Sequence, residues 1–282
     1  MIILEKNKIV ADSSCDLTPA LKKKLNIGLV PLKINVGRNS YVDDENIDTK
    51  KLLADMKNSK EPVKTASPSP NDFMKEYEKG ENIFVVTISS ALSSTYNNAM
   101  LAKDIILEQS KEKFIHVFDS LSASIGETLI SMKINELIEK KFDKFDIIEE
   151  VEGYIEDMKT FFVLESLDNL VKAGRISKLL SHIGSILSIK PIMGANDDGT
   201  IRLVEKTRGK KRAFKRLVEV IGEQGEKLEE KILGIAHCNA PEKAEKLKKQ
   251  IEEMYNFKEV IIVETAGLSS AYANDGGIII AF

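Results

Sequence analysis

Serine- and threonine-rich turns are the segments of this sequence best suited to bind a charged group. The strand-like run IFVVTIS (83–89) is followed by SSALSSTYNNA and a helical pattern. Backbone N–H groups and hydroxyls at a helix N-terminus favour an anion such as a carboxylate or phosphate. In open α/β sheets, ligands sit at the carboxyl ends of the strands. The polar residues there are Ser89, Ser90, Ser93, Ser94 and Thr95. Simple capping of the helix explains the pattern equally well.

Two further polar segments are weaker candidates. KTASPSP (64–70) contains Thr65, and turn chemistry alone accounts for its composition. VADSSCDL (10–17) follows the first strand-like run, and we expect Asp12 or Asp16 to hold a loop or cap a helix. Cys15 has no neighbouring His or Lys in sequence to lower its pKa, so we interpret it as an ordinary thiol.

The run KTRGKKRAFKR (206–216) concentrates positive charge in a chain whose formal net charge is −3. One interpretation is a solvated helix start, although cations there oppose the helix dipole. The other is a docking or phosphate-facing patch that includes Lys210, Lys211 and Arg212. Nucleic acid is not an expected partner, because the chain lacks any recognised nucleic-acid-binding motif.

Several reaction classes lack their sequence signatures. GxGxxG, GxxxxGK[ST], GxSxG and HExxH are all absent, and the chain has three histidines and two distant cysteines. We therefore expect no cofactor and no metal. A Ser–His–Asp triad can be neither assembled nor excluded from the sequence, so a hydrolase or transferase with a Ser nucleophile stays an alternative.

Composition is typical of a water-soluble globular protein of two domains. The 282 residues are 43% hydrophobic and 30% charged. No run approaches the roughly 20 apolar residues of a membrane span, and the first residues do not resemble a signal peptide. We expect a cytoplasmic protein without stable membrane insertion.

Short β-branched runs alternate with helical patterns, which favours an α/β fold with a largely parallel sheet. We predict two α/β domains, 1–155 and 156–282. The first has a mostly parallel sheet with helices on both faces. In the second, residues 186–209 are predicted to form a hairpin around Asp197, Asp198 and Gly199, so its sheet is mixed. The strand-like runs are 8–13, 83–89, 114–120, 161–166, 232–238, 260–265 and 277–282. The helical patterns lie near 17–25, 49–58, 70–79, 94–109, 122–140, 209–228 and 241–256.

Motifs along essentially the whole chain resemble the DegV family of bacterial fatty-acid-binding proteins. They are IVADSSCDL, VPLKINVGRNSYVDD, TASPSPNDF, ISSALSSTYNNA, FDSLSASIG, LDNLVKAGRIS, LSIKPIM and the DG of the hairpin. Each motif is weak alone, and their ordered succession is specific. The resemblance implies a long-chain fatty acid buried at or near the junction of two α/β domains.

The resemblance also implies binding residues. In the family the acyl carboxylate is held by a Thr and a Ser, which correspond here to Thr65 and Ser93. Arg175 in KAGRIS matches the GGR-like segment of the family. The usual GTHTGPG-like segment is AGLSSAYANDGG here, which places Ala273 at the position of the His and Asn274 at that of the following Thr. Asn274 can donate a neutral hydrogen bond but cannot supply a positive charge.

Some family members are the non-catalytic lipid-binding subunit of a fatty acid kinase, so the resemblance implies a possible partner. They present the carboxylate to a separate ATP-binding chain that makes acyl phosphate. In that case Lys210, Lys211 and Arg212 are the expected docking residues. One alternative is that the protein acts only as a fatty acid carrier. Another is that this family member binds a different ligand.

Overall fold

The computed structural model of the chain describes residues 7–176 and 189–282. The first residues of the predicted hairpin, 186–188, lie outside these ranges. The strands are β1 (Asn7–Asp12), β2 (Gly28–Val30), β3 (Lys33–Val36), β4 (Asn39–Val42), β5 (Lys64–Ala66), β6 (Asn82–Thr87), β7 (Phe114–Asp119), β8 (Thr160–Val163), β9 (Ile189–Ala195), β10 (Ile201–Arg208), β11 (Ile232–His237), β12 (Glu259–Glu264) and β13 (Ile278–Ala281). The α-helices are α1 (Pro19–Leu25), α2 (Thr49–Asn58), α3 (Pro70–Tyr77), α4 (Thr95–Gln109), α5 (Ile125–Glu139), α6 (Lys144–Asp157), α7 (Asp168–Lys172), α8 (Lys210–Gln224), α9 (Pro241–Met254) and α10 (Gly267–Ala273).

The first sheet is parallel, with the strand order β2-β1-β6-β7. Successive side chains of its strands point to opposite faces of the sheet. Both faces are buried, because helices pack on each of them. On one side, Ile9 and Phe84 pack against α5 and α6. On the other side, Val10 and Val85 pack against α3 and α4. This half of the fold confirms the predicted parallel sheet with helices on both faces.

A small antiparallel sheet with the order β4-β3-β5 was not predicted. Its strands have three or four residues each and carry several polar side chains, so they lack the apolar runs that identify the other strands. In this sheet Thr65 pairs with Ile34, which fixes the position of the TASPSP segment.

The second large sheet is mixed, with the order β10-β9-β8-β13-β11-β12. Only β11 and β12 run parallel among its described neighbours, and β9 and β10 form the predicted hairpin. Helices α8 and α9 cover one face, where Leu217 and Leu247 pack against Phe161 and Ile235. The mixed α/β character of this half is also confirmed.

Helix α5 lies between the two large sheets. Ile130 and Ile134 face the parallel sheet, whereas Ile125 and Leu129 pack on Ala236 of the mixed sheet. One helix therefore contributes to the cores of both halves. Within residues 7–176 and 189–282, no helix is long and apolar enough to cross a membrane.

Candidate functional site

A cavity lies between the carboxyl ends of the parallel strands and one face of the mixed sheet. The empty space between its walls is about 890 Å³ when the part open to solvent is included. Its walls are mainly apolar, and Arg175 is the only charged residue among the described residues that line it. The lining includes Thr65, Leu92, Ser93, Ala123, Phe162, Arg175, Tyr272 and Ala273.

Buried carboxylates hold the loops that form one side of the cavity. Asp12 accepts hydrogen bonds from the amide of Ser14 at 2.8 Å and from that of Ile88 at 2.7 Å. It thereby joins the loops that follow β1 and β6, and both Ser14 and Ile88 line the cavity. The sequence pointed to Asp12 as a loop-holding residue, which this geometry confirms.

The N-terminus of α10, which forms another wall, is held by acids from the first half of the chain. Asp16 Oδ1 accepts from the amide of Ala266 at 2.6 Å. Asp43 accepts from Gly267 at 2.7 Å and from Leu268 at 2.9 Å. A Cβ on Gly267 would lie 2.5 Å from Asp43 Oδ1, so this approach requires glycine. The dipole of α10 is therefore satisfied by protein groups and is not free for a ligand.

Hydroxyl groups and the guanidinium of Arg175 are among the groups that line the cavity. Thr65 Oγ1 and Tyr272 Oη are 2.9 Å apart, and Ser93 Oγ lies 2.8 Å from Thr95 Oγ1. Arg175 donates from Nε to the carbonyl of Leu92 at 3.1 Å, which fixes the guanidinium beside the Ser-rich turn. The structure thus brings Thr65, Ser93 and Arg175 to one cavity, although they are distant in sequence.

A neighbouring cleft shares part of the lining of the cavity. Ser93 and Arg175 line both spaces, together with Leu92 and Ile201. The cleft is further lined by polar or small residues, among them Ser90, Ser94, Gly174 and Thr200. A group held at Ser93 and Arg175 is therefore next to a second space outside the apolar cavity.

The backbone amides of the Ser-rich turn are already used within the protein. Ser89 donates to the carbonyl of Ser122 at 2.8 Å, and Ser90 donates to Asp119 at 3.0 Å. The amides of Leu92 and Ser93 both donate to the carbonyl of Ser89. The hydroxyl groups of this turn are therefore more available than its amides to donate hydrogen bonds to a ligand.

Asn274 does not join the other candidate residues. Its Nδ2 donates to the carbonyls of Ser166 at 3.3 Å and Tyr272 at 3.2 Å, and its Oδ1 accepts from Asn169 at 3.3 Å. The described lining of the cavity includes its neighbour Ala273 but not Asn274. Ser269 and Tyr272 are the polar residues of this segment that line the cavity, and no sequence signal pointed to either of them.

A Ser93 nucleophile would need a general base. Of the residues that the structure describes, no His, Asp, Glu, Lys or Cys lines the cavity. In the same ranges, no group of His, Cys, Asp and Glu side chains is arranged to hold a metal ion.

The predicted docking residues lie in the first turn of α8, which packs on the mixed sheet next to its hairpin. Lys210, Lys211 and Arg212 are all exposed. Lys210 Nζ lies 2.9 Å from Glu165 Oε2, whereas no ion pair involves Lys211 or Arg212 within the described part of the chain.

Comparisons with known proteins agree with the sequence motifs. The family model of the uncharacterised DegV proteins matches residues 6–282. A DegV domain-containing protein of Streptococcus pneumoniae is 36% identical over 283 residues, covering 98% of both chains.

Solved structures are similar over the whole fold. A DegV family protein of Ruminococcus gnavus, refined with vaccenic acid, has a TM-score of 0.95 and 40% identity, covering 98% of this chain and 99% of its own. The Fatty Acid Kinase (Fak) B3 protein of Streptococcus pneumoniae, loaded with linoleic acid, has a TM-score of 0.90 and 35% identity, with coverage of 98% and 99%.

Proposed function

The chain belongs to the DegV family, and we propose that it binds a long-chain fatty acid in the cavity between its two large sheets. The observation that carries the proposal is a mainly apolar cavity whose described lining also includes hydroxyl groups and a single charged group, the guanidinium of Arg175. We assign the carboxylate to Thr65, Ser93 and Arg175, and the acyl chain to the apolar walls. The relatives that carry vaccenic and linoleic acid support this ligand class.

The acyl chain supplies most of the affinity in this proposal. Burying about fifteen methylenes at ~0.8 kcal/mol each contributes roughly 12 kcal/mol before costs. Association and ordering of the chain offset several kcal/mol of that sum. The hydroxyl groups and Arg175 then determine the orientation of the ligand and contribute less to its affinity.

Tyr272 takes the place of the histidine that is typical of the family. Ala273 stands at the histidine position and has no polar group, but the hydroxyl of Tyr272 is bonded to Thr65 at the cavity. We propose that this phenol completes the set of donors around the carboxylate. Asn274 then acts as a support that joins the end of α10 to Ser166.

We further propose that the chain is a non-catalytic subunit that presents its fatty acid to an ATP-binding kinase chain in the cytoplasm. The similarity to the Fak B3 protein supports this role. Ser93 and Arg175 also line the neighbouring cleft, so the carboxylate is placed where a partner could reach it. The exposed start of α8, with Lys210, Lys211 and Arg212, is the docking surface in this proposal.

Partner docking can be tested apart from lipid binding. The double variant Lys211→Glu/Arg212→Glu should abolish acyl phosphate formation by the kinase chain and leave fatty acid affinity unchanged. The matched control is Lys246→Glu/Lys249→Glu on exposed positions of α9. Wild-type kinase activity in the first variant would refute docking at α8.

Lipid binding can be tested by filling the cavity. Ala123 is half-buried in its lining, so Ala123→Phe should sharply weaken binding of a long-chain fatty acid to delipidated protein in calorimetric titration. Ala20→Phe makes the same change on an exposed position of α1 and should bind like the wild type. Equal affinities for the two folded variants would place the ligand elsewhere.

A further inference from the structure

Outside the acyl cavity, three lysines from three elements surround one carboxylate. Lys190 of β9 and Lys210 of α8 lie 3.0 and 2.9 Å from Glu165 Oε2. Lys243 of α9 lies 3.1 Å from Glu165 Oε1. Lys190 and Lys243 are largely buried, with 20% and 31% of their side chains exposed, whereas Lys210 is 65% exposed. We call these four residues the lysine cluster.

Positive charge exceeds negative charge in this cluster by two. Burial alone would raise the pKa of Glu165, but hydrogen bonds from Lys210, Lys190 and Lys243 outweigh it and lower the pKa to about 2. The carboxylate therefore stays ionised and holds the three ammonium groups together. Further along α8, Arg216 is instead surrounded by acids, because it is paired with Glu205, Glu219 and Glu223.

Other contacts keep the ammonium groups in place. Lys190 also donates to the carbonyl of Glu165 at 2.7 Å, and Lys243 donates to that of Gly276 at 2.6 Å. The ammonium of Lys243 further lies 5.3 Å from the centre of the Phe214 ring. Two of the three cations are therefore preorganised and partly desolvated, which strengthens their attraction for an anion.

Two helices begin at the cluster. Lys210 is the first residue of α8, and Lys243 lies in the first turn of α9. Cations at these positions oppose the helix dipoles and cost stability. The first turn of α8 has no acidic side chain, and none of the described residues accepts a hydrogen bond from the amides of Lys210, Lys211 or Arg212. An anion at this place would interact favourably with the lysines and with these amides.

We propose that the lysine cluster binds a phosphate group. A phosphate dianion matches the excess charge of two, and its oxygens suit compact ammonium donors. The group could be inorganic phosphate or the phosphate of a small monoester, and the chemistry of recognition is the same. The site is separate from the acyl cavity and does not depend on the proposed function.

Calorimetric titration of the full chain, at constant ionic strength, tests the site with inorganic phosphate and with glycerol 3-phosphate. We expect one site per chain, and the anion that binds more tightly identifies the source of the phosphate. Lys243→Gln should weaken binding at least about fivefold, because it removes one charge-assisted donor. Lys246→Gln removes one charge from the exposed face of the same helix and should leave the affinity unchanged.

Lys210→Gln keeps the test informative if Lys243→Gln fails to fold. Because Lys210 is mostly exposed, its replacement should preserve the fold and weaken phosphate binding as well. Absence of binding by the wild type, or equal affinities of the Lys246→Gln and Lys210→Gln proteins, would overturn the proposal. Neither result would affect the fatty acid proposal, whose site lies elsewhere.

Discussion

Thr65 and Tyr272 share a hydrogen bond although they are 207 positions apart in the chain. Both side chains line the cavity, as do Ser93 and Arg175. Because three of these four groups are neutral hydroxyls, they can donate to a carboxylate without the cost of burying several charges. Single-residue changes here should therefore have small effects on affinity.

Tyr272→Phe should weaken fatty acid binding about two- to tenfold, the usual effect of losing one hydrogen bond. Stability should change little, because the ring keeps its place in the wall. Tyr255→Phe is the matched control, since its hydroxyl donates to the carbonyl of Val218 outside the cavity. Calorimetric titration of both variants checks the assignment, and an unchanged affinity for Tyr272→Phe would remove this hydroxyl from the site.

At the scale of the elements, helix α5 packs closely on β11 at Gly234. A Cβ at this position would lie 2.2 Å from Ile125 Cγ1. Ile125 is fully buried between the helix and the mixed sheet. The absence of a side chain at residue 234 is thus what allows α5 to pack on both sheets.

Gly234→Ala should lower the free energy of unfolding by about 1–3 kcal/mol through overpacking. Gly153→Ala is the control, and its effect on stability should have the opposite sign. Gly153 lies inside α6, and no atom lies within 4 Å of the added Cβ. It should raise the free energy of unfolding by about 0.5–1 kcal/mol. Chemical denaturation measures both, and a stable Gly234→Ala protein would contradict the described packing.

How far the elements follow from the sequence depends on their length and burial. The run IFVVTIS predicts β6, and SPNDF predicts the start of α3, where Asp72 accepts from the amide of Ser69. The strands β3, β4 and β5 are short and partly polar, and α7 has five residues, so no periodicity identifies them. Thr65 could be proposed from its motif, but its contact with Tyr272 depends on the tertiary fold.

Asn274 shows a limit of motif matching. Its position in the family segment predicts that Asn274 donates to the ligand. In the structure Asn274 follows the last residue of α10 with a φ of 58°, and its side chain donates to the carbonyls of Ser166 and Tyr272. Backbone conformation at the end of a short helix decides where such a side chain points. That conformation cannot be derived from residue types alone.

For the molecule as a whole, we propose two domains with a boundary near residue 155. The parallel sheet ends at Asp119, and the mixed sheet is built from Thr160 onward. Asp16 and Asp43 join the first part to α10 of the second. The halves are consequently connected by buried carboxylates as well as by α5.

These carboxylates should make stability depend on pH. Burial raises the pKa of Asp12 and of Asp16 from 3.8 to about 7, although hydrogen bonds lower it. Burial raises the pKa of Asp43 as well, and burial with the charge of Asp12 raises that of Glu127. These four acids therefore bind more protons in the folded than in the unfolded chain between about pH 4 and pH 7. Burial lowers the pKa of His116 to about 4 and also lowers that of His237, so these two groups offset part of the effect.

From these four acids we expect a free energy of unfolding that decreases as the pH rises through this window. Asp16→Asn removes one of the titrating groups, so its profile should be flatter than that of the wild type. Urea denaturation at a series of pH values gives both profiles. Stability that rises with pH between about 4 and 7 would contradict the raised pKa values.

We propose that this chain carries a fatty acid in its cavity. Mass spectrometry of the purified protein, first in the native state and then after denaturation and organic extraction, tests it most directly. We predict close to one long-chain fatty acid per chain, and its length defines how much of the cavity is filled. Protein that contains no fatty acid, and takes up none on incubation, would contradict the claim.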